Sequence, residues 1–181
     1  RQRQMCIRDR LISGNRCERP ITGKKDDGRW NLYEYKRQLI LGYKPGENKR
    51  GRIGLPLCLN FWELYPFWYT FFTKLGFQVV HSPMSSRKLY LEGQGSIPSD
   101  TACFPAKLAH GHIEFLAKLG VDAIFYPCMT YNIDEGLGQN HYNCPVVAYY
   151  PEVLAGNCDC LKNTKFIYDY VGIPRPHDFT K

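Results

Sequence analysis

Cysteine is the residue type through which this sequence offers most chemistry, with eight thiols in 181 residues. Two of them stand where a folded chain concentrates reactivity. Cys128, in Tyr126-Pro127-Cys128-Met129-Thr130, directly follows a short apolar run, and Cys103, in Asp100-Thr101-Ala102-Cys103-Phe104-Pro105, opens a stretch of helical spacing. A thiol at a helix start faces unpaired backbone N–H groups and the positive end of the helix dipole, which favour a thiolate or an anionic cluster. Pro105 suits that placement, because proline is tolerated at the start of a helix. Each residue also has a plainer reading, Cys128 as a small buried hydrophobe and Cys103 as an ordinary helix-start side chain. Neither lies in a CxxC motif, so their meaning depends on the fold that carries them.

The other candidates are weaker. Cys144, in Asn143-Cys144-Pro145, stands before its apolar run. Cys158 and Cys160 form a CxC pair on a polar segment, as compatible with idle exposed thiols as with ligands. A zinc site from Cys158, Cys160, His141 and one more ligand is a third option, since thiolate and imidazole suit zinc as well as iron. His110 and His112 lie seven and nine residues beyond Cys103, two turns or more along a helix, which favours helix packing over a Cys–His catalytic pair. Ser85-Ser86-Arg87-Lys88 offers hydroxyl and cationic groups to a phosphate or a CoA tail, with Ser86, Arg87 and Lys88 as the anion-binding candidates, against a solvated basic turn.

The elements that position these residues follow from periodicity. Residues 53–59 form a short apolar run bounded by turn formers, as a buried strand does. Residues 62–75 carry apolar side chains at helical spacing and stop at Gly76, with Pro66 tolerable only in the first turn. Residues 77–81 read as a second strand, 82–102 as a loop, 104–119 as a second helix ending at Gly120, and 121–126 as a third strand. A loop over 130–143 leads to 145–150 as a fourth strand, with a fifth element at 165–168. Strands alternating with helices imply an α/β, Rossmann-like parallel sheet of about four strands with flanking helices. Ligands bind such sheets at the carboxyl ends of the strands. That rule places Cys103 and Cys128 on the functional edge, returns Cys158 and Cys160 to it, and puts Cys144 on the opposite one unless its loop curls across. The aromatic run 65–72 reads as a helix buried between the sheet and another domain rather than an aromatic ligand box.

Composition bounds the function. The charge of +7 sits largely in the first 52 residues and lacks the aromatic-basic interleaving of a nucleic-acid surface, so no nucleic-acid partner is expected. No run of eighteen apolar residues and no hydrophobic signal region occur, so neither membrane insertion nor secretion is expected. In a cytoplasmic chain eight cysteines are reduced thiols or metal and cluster ligands sooner than a disulfide framework. Residues 1–51 form an irregular N-terminal segment with one apolar patch, 32–43, able to form a helix, and residues 52–181 form the α/β domain. The first ten residues resemble translated adapter sequence, and Cys6 is given no function.

The domain resembles the uncharacterised domain found C-terminal to ATPase modules in CoA-substrate-specific enzyme activases, over about residues 52–153. The resemblance is carried by Ile53-Gly54-Leu55-Pro56, Tyr65-Pro66-Phe67-Trp68, Ser85-Ser86-Arg87-Lys88-Leu89-Tyr90, the stretch from Cys103 to His112, Phe125-Tyr126-Pro127-Cys128 and Asn143-Cys144-Pro145-Val146-Val147. Ser13-Gly14-Asn15-Arg16-Cys17-Glu18-Arg19 resembles the junction with the ATPase region, which implies a slice of a longer protein, truncated beyond Lys181. The chain departs from the family pattern at Leu57, where arginine is common, which weakens an anion site there, and at Cys158 and Cys160.

The resemblance implies kinship with 2-hydroxyacyl-CoA dehydratase subunits, whose α/β domains hold a four-iron, four-sulfur cluster through cysteines from separate loops. Cys103 and Cys128 match that arrangement best and Cys144 less well. It implies ATP-driven, low-potential electron transfer or acyl-CoA dehydration, with dehydratase subunits, activase ATPase modules and an acyl-CoA as partners. ATP would bind a separate module, since no P-loop or other nucleotide motif is present, and no complete active site is expected in this fragment. The competing reading is a non-catalytic docking domain that couples an ATPase module to a dehydratase, with the aromatic helix as its interface.

Overall fold

The structure, a computed structural model, describes residues 30–175. Cys6, Cys17, the junction motif and the run 1–10 lie outside the described residues. The chain divides into two compact units, Arg1–Gly42 and Tyr43–Lys181. In the first, helix α1 (Leu32–Leu41) occupies the apolar patch, and the Asn31 side chain caps it by accepting from the Glu34 N–H at 3.2 Å. Such a cap satisfies one of the N–H groups that a helix start leaves unpaired.

The second unit is built on a parallel four-stranded sheet in the order β2-β1-β3-β4. Its strands are β1 (Arg52–Leu55), β2 (Gln78–His81), β3 (Ala123–Phe125) and β4 (Lys165–Ile167). The connecting helices are α2 (Phe61–Lys74), α3 (Arg87–Gly93), α4 (Phe104–Lys118) and α5 (Pro145–Asn157). This is the α/β class read from the sequence. The compact unit begins nine residues ahead of Arg52, because the Lys49 and Arg50 N–H groups both donate to the Gly76 carbonyl at 3.1 Å and the Tyr69 hydroxyl donates to the Lys44 carbonyl at 2.6 Å.

Alternate residues of the central strands face opposite layers. Phe125 meets Phe61, Trp68 and Phe72 of α2, with ring centroids 6.3, 4.7 and 4.9 Å away. Gly54 faces the other way, and a Cβ there would meet Val121 and Leu116 of the α4 side at 3.1 and 3.3 Å. So α2 covers one face and α4 the other, as right-handed crossovers require when the strand order reverses at β1. The aromatic run fills the core instead of forming a ligand box. Tyr65 and Trp68 are 1 % exposed and Phe61 0 %, and burying a side chain such as Phe61 contributes roughly 1.5–3 kcal/mol.

Two sequence expectations are corrected. Residues 145–150 form no strand but the first turns of α5, and β4, the expected fifth element, completes the sheet. The run Pro145-Val146-Val147-Ala148-Tyr149-Tyr150 is too short to separate the two periods. The continuation decides it: Ala148, Pro151 and Leu154 are buried at three-residue spacing, and Pro145 stands where a helix accepts proline. Pro66 is the sixth residue of α2, past its first turn. It lies on the exposed face, and the missing N–H removes only one helical bond. The expected glycine stops hold, with Gly76 at φ 87° and Gly120 at φ 68°, a left-handed turn that glycine adopts without strain. Among the described residues, no helix is long and apolar enough to cross a membrane.

Candidate functional site

Because the strand order reverses at β1, the connections leaving β1 and β3 run to opposite faces, and a crevice opens between the carboxyl ends of those strands. Cys58 and Asn60 reach it from β1, and Tyr126, Cys128 and Met129 from β3. Cys58 Sγ and the Tyr126 hydroxyl lie 3.9 Å apart, both buried. Burial pushes the Cys58 thiol up to about 12 and the Tyr126 hydroxyl well above its ordinary value, so both keep their protons at neutral pH. Asn60 Nδ2 donates to Met129 Sδ at 3.1 Å, while its Oδ1 is buried without a hydrogen-bond partner. Native structures leave few buried polar atoms unpaired, so this orphaned acceptor marks the crevice.

Cys103 and Cys144 flank the same edge in matching roles. Each is the N-cap of a long helix, Cys103 of α4 at φ −62°, ψ 152° and Cys144 of α5 at φ −63°, ψ 153°. Each is followed by proline at the first helical positions, and neither thiol bonds to the backbone of its helix. Both are exposed, so two free thiols stand at the positive ends of two helix dipoles. The expectation that Cys144 falls on the opposite edge is overturned: a helix leaving the carboxyl edge starts there.

Cys128 is on the same edge but not beside them at the surface. Its backbone is locked to the segment after β4, with its N–H donating to the Asp169 carbonyl and its carbonyl accepting from the Val171 N–H, both at 3.1 Å. Its side chain is fully buried. Burial, with the Glu152 carboxylate adding to it, pushes the thiol up to about 11. Glu152 is eight residues along α5 from Cys144, about 12 Å of helix. Among the described residues no three His, Cys, Asp or Glu side chains gather closely enough to hold a metal ion. The thiol chemistry suits iron, and the exposed pair is accessible to it, but the three expected ligands do not form one set by themselves.

Cys158 and Cys160 are also corrected. With 145–157 helical, they follow the far end of α5, just ahead of β4, and so lie toward the amino edge of the sheet. The 13 residues of α5, about 20 Å, separate them from the segment holding His141, whose Nε2 is 3.3 Å from Asp134. Cys158 is buried beside His110, with Sγ 3.5 Å from Nδ1. Its thiol is held below its ordinary value by the Cys160 thiol, His110 and Ser96, against the opposing effect of burial.

The two histidines pack inside the fold, as expected, but each also joins a hydrogen-bonded chain that spacing alone did not reveal. His110 Nδ1 lies 2.8 Å from Ser96 Oγ, and Nε2 2.9 Å from the Tyr150 hydroxyl. Burial raises the Tyr150 hydroxyl, with the Cys103 thiol adding to the effect. His112 Nδ1 lies 2.6 Å from Ser82 Oγ, and Nε2 2.9 Å from Ser85 Oγ. The readable signal was Ser82 and Ser85 in the loop leaving β2, on the edge that α4 starts from. Of the anion-binding candidates, Ser86 spends its hydroxyl capping α3, accepting from the Leu89 N–H at 3.2 Å, while Arg87 and Lys88 are exposed.

Comparison with known proteins agrees with the resemblance. No curated protein and no solved structure matches the chain. A family model, the CoA enzyme activase uncharacterised domain (DUF2229), matches residues 52–181, which covers β1 through β4 and all the thiols of the carboxyl edge. The chain therefore belongs to the CoA enzyme activase uncharacterised domain family.

Proposed function

We propose that this domain serves the 2-hydroxyacyl-CoA dehydratase system as an iron–sulfur module, acting with an activase ATPase in the same full-length chain and a dehydratase-type partner. The observation that carries the reading is the matched placement of Cys103 and Cys144, two exposed thiols at helix N-termini on the ligand-binding edge of the sheet. Helix N-termini favour the thiolate form that a metal requires. Cys128 is the third thiol of this edge, and a partner surface completes the set. A four-iron, four-sulfur cluster, when bound, carries one low-potential electron. This chain's own share is to present the thiolates, to hold the neighbouring Cys58 and Tyr126 protonated, and to keep water from the crevice with buried Phe61, Tyr126 and Met129. ATP belongs to the separate module.

The test is anaerobic reconstitution with iron and sulfide, reading iron content and the visible spectrum for the wild type and for Cys103→Ser, Cys144→Ser and Cys128→Ser, each with and without a dehydratase-type partner. The expected result is a brown chromophore, strongest with the partner and lost in the first two variants. Absence of iron from the wild type under both conditions sinks the reading and leaves a docking domain, whose exposed aromatic on α2 is Phe67, at 39 %.

A further inference from the structure

Beside the thiol edge lies a pocket of about 190 Å³ between the loops leaving β1 and β2 and the start of α4. Leu57, Leu59, Trp62, Met84 and Leu108 give it apolar walls, and Ser85 places a hydroxyl in it. At roughly 30 Å³ per water-sized group, the space suits a short chain of about six such groups.

The Ser85 hydroxyl is the end of an ordered chain. The Leu57 N–H donates to Ser82 Oγ at 2.8 Å. Ser82 is fully buried, so its own proton needs an acceptor, and His112 Nδ1 at 2.6 Å supplies it. The opposite arrangement would leave the buried Ser82 proton without a partner, at a cost of about 1–3 kcal/mol. With Nδ1 accepting, the neutral imidazole carries its proton on Nε2 and donates to Ser85 Oγ at 2.9 Å. Ser85 then accepts on one side, and its own O–H is left to donate. Burial lowers the pKa of His112 to about 4, so the ring stays neutral and the direction of the chain is kept. Hydrogen bonds aligned in this way polarise one another, which makes the last donor stronger than an isolated serine. An apolar pocket with one oriented polar group is how a protein holds a small ligand in a single pose.

We propose that this pocket binds a short apolar acyl group through its carbonyl oxygen, with the Ser85 hydroxyl as the donor. The carbonyl belongs to a thioester or to a free carboxylate, which share the acceptor oxygen and the short chain. The proposal goes beyond the iron–sulfur reading and does not require it.

The experiment follows the Trp62 indole N–H signal of the ¹⁵N-labelled chain, assigned with Trp62→Phe, during titration with butanoyl-CoA, butanoate and CoA alone. One or both acyl probes are expected to shift it saturably and CoA alone not to. Saturation with the thioester only assigns the pocket to thioesters, and saturation with butanoate assigns it to carboxylates. In Ser85→Ala, at an exposed position, the dissociation constant is expected to rise about five- to tenfold, the worth of one neutral hydrogen bond. The proposal is overturned by any of three results: no saturation up to about 10 mM, a shift with CoA alone, or unchanged affinity in Ser85→Ala.

Discussion

Gly93 and Gly111 meet backbone to backbone where α3 crosses α4: a Cβ on Gly93 would run into the backbone of His110 and Gly111, and one on Gly111 into the Leu89 carbonyl. Gly111 separates the two buried histidines, so the crossing sets both hydrogen-bonded chains at once. His112 is turned to Ser82 and Ser85, and His110 to Ser96 and Tyr150.

Gly111→Ala is therefore expected to destabilise the fold by about 3 kcal/mol, as overpacking of a closed contact does. Gly156→Ala in α5, where a Cβ meets nothing within 4 Å, is expected to be neutral or to stabilise by up to about 1 kcal/mol. Urea denaturation of the two variants checks the contrast, and equal effects would refute the close crossing.

His112 makes stability depend on pH in a defined window. Its folded pKa, about 4, lies below the ordinary 6.5 because burial disfavours the charged ring. The unfolded chain therefore binds the proton more readily, and stability rises with pH between about 4 and 6.5. The contribution is complete above 6.5 and lost as pH falls toward 4, on the order of 3 kcal/mol at about 1.4 kcal/mol per unit. Urea midpoints for the wild type and His112→Gln across pH 4–7 should converge at the acid end. Parallel curves would show that the ring titrates normally.

Thiol accessibility separates the cysteines of the described residues. Cys103 and Cys144 are exposed, while Cys58, Cys128 and Cys158 are buried. Brief alkylation of the native protein followed by peptide mass mapping should label the first two and leave the other three until denaturant is added. Native labelling of Cys128 at the rate of Cys103 would place it at the surface and remove the distinction drawn between them.

Asp122 ties the entries of two strands together. Its Oδ2 accepts from the Arg52 N–H at 2.6 Å, and its own N–H donates to the Arg52 carbonyl at 3.0 Å. Asp122→Ala removes the first bond and keeps the second, at an expected cost of about 1 kcal/mol because the site is open to water. A thermal unfolding midpoint equal to the wild type would show that solvent replaces the carboxylate without loss.

Much of the architecture was legible in the sequence because local rules agreed with the global fold. The alternation of short apolar runs with helical stretches announced a parallel sheet, Gly76 and Gly120 marked the helix ends, and Pro105 placed Cys103 at a helix start. Residues 145–150 were not legible. Six apolar residues satisfy a buried strand and a buried helix equally, and only the packing of Ala148, Pro151 and Leu154 decided between them. That one decision moved Cys144 onto the edge shared with Cys103 and moved Cys158 and Cys160 off it.

By itself the sequence determined the α/β class, the family and a supply of thiols near the strand ends, since period, turn chemistry and motif are properties of neighbours along the chain. Only the tertiary structure decided which thiols are free and which are buried, and how His112 connects Leu57, Ser82 and Ser85. Those relationships join residues up to 55 positions apart, and they exist only once α3 and α4 have closed on each other at two glycines.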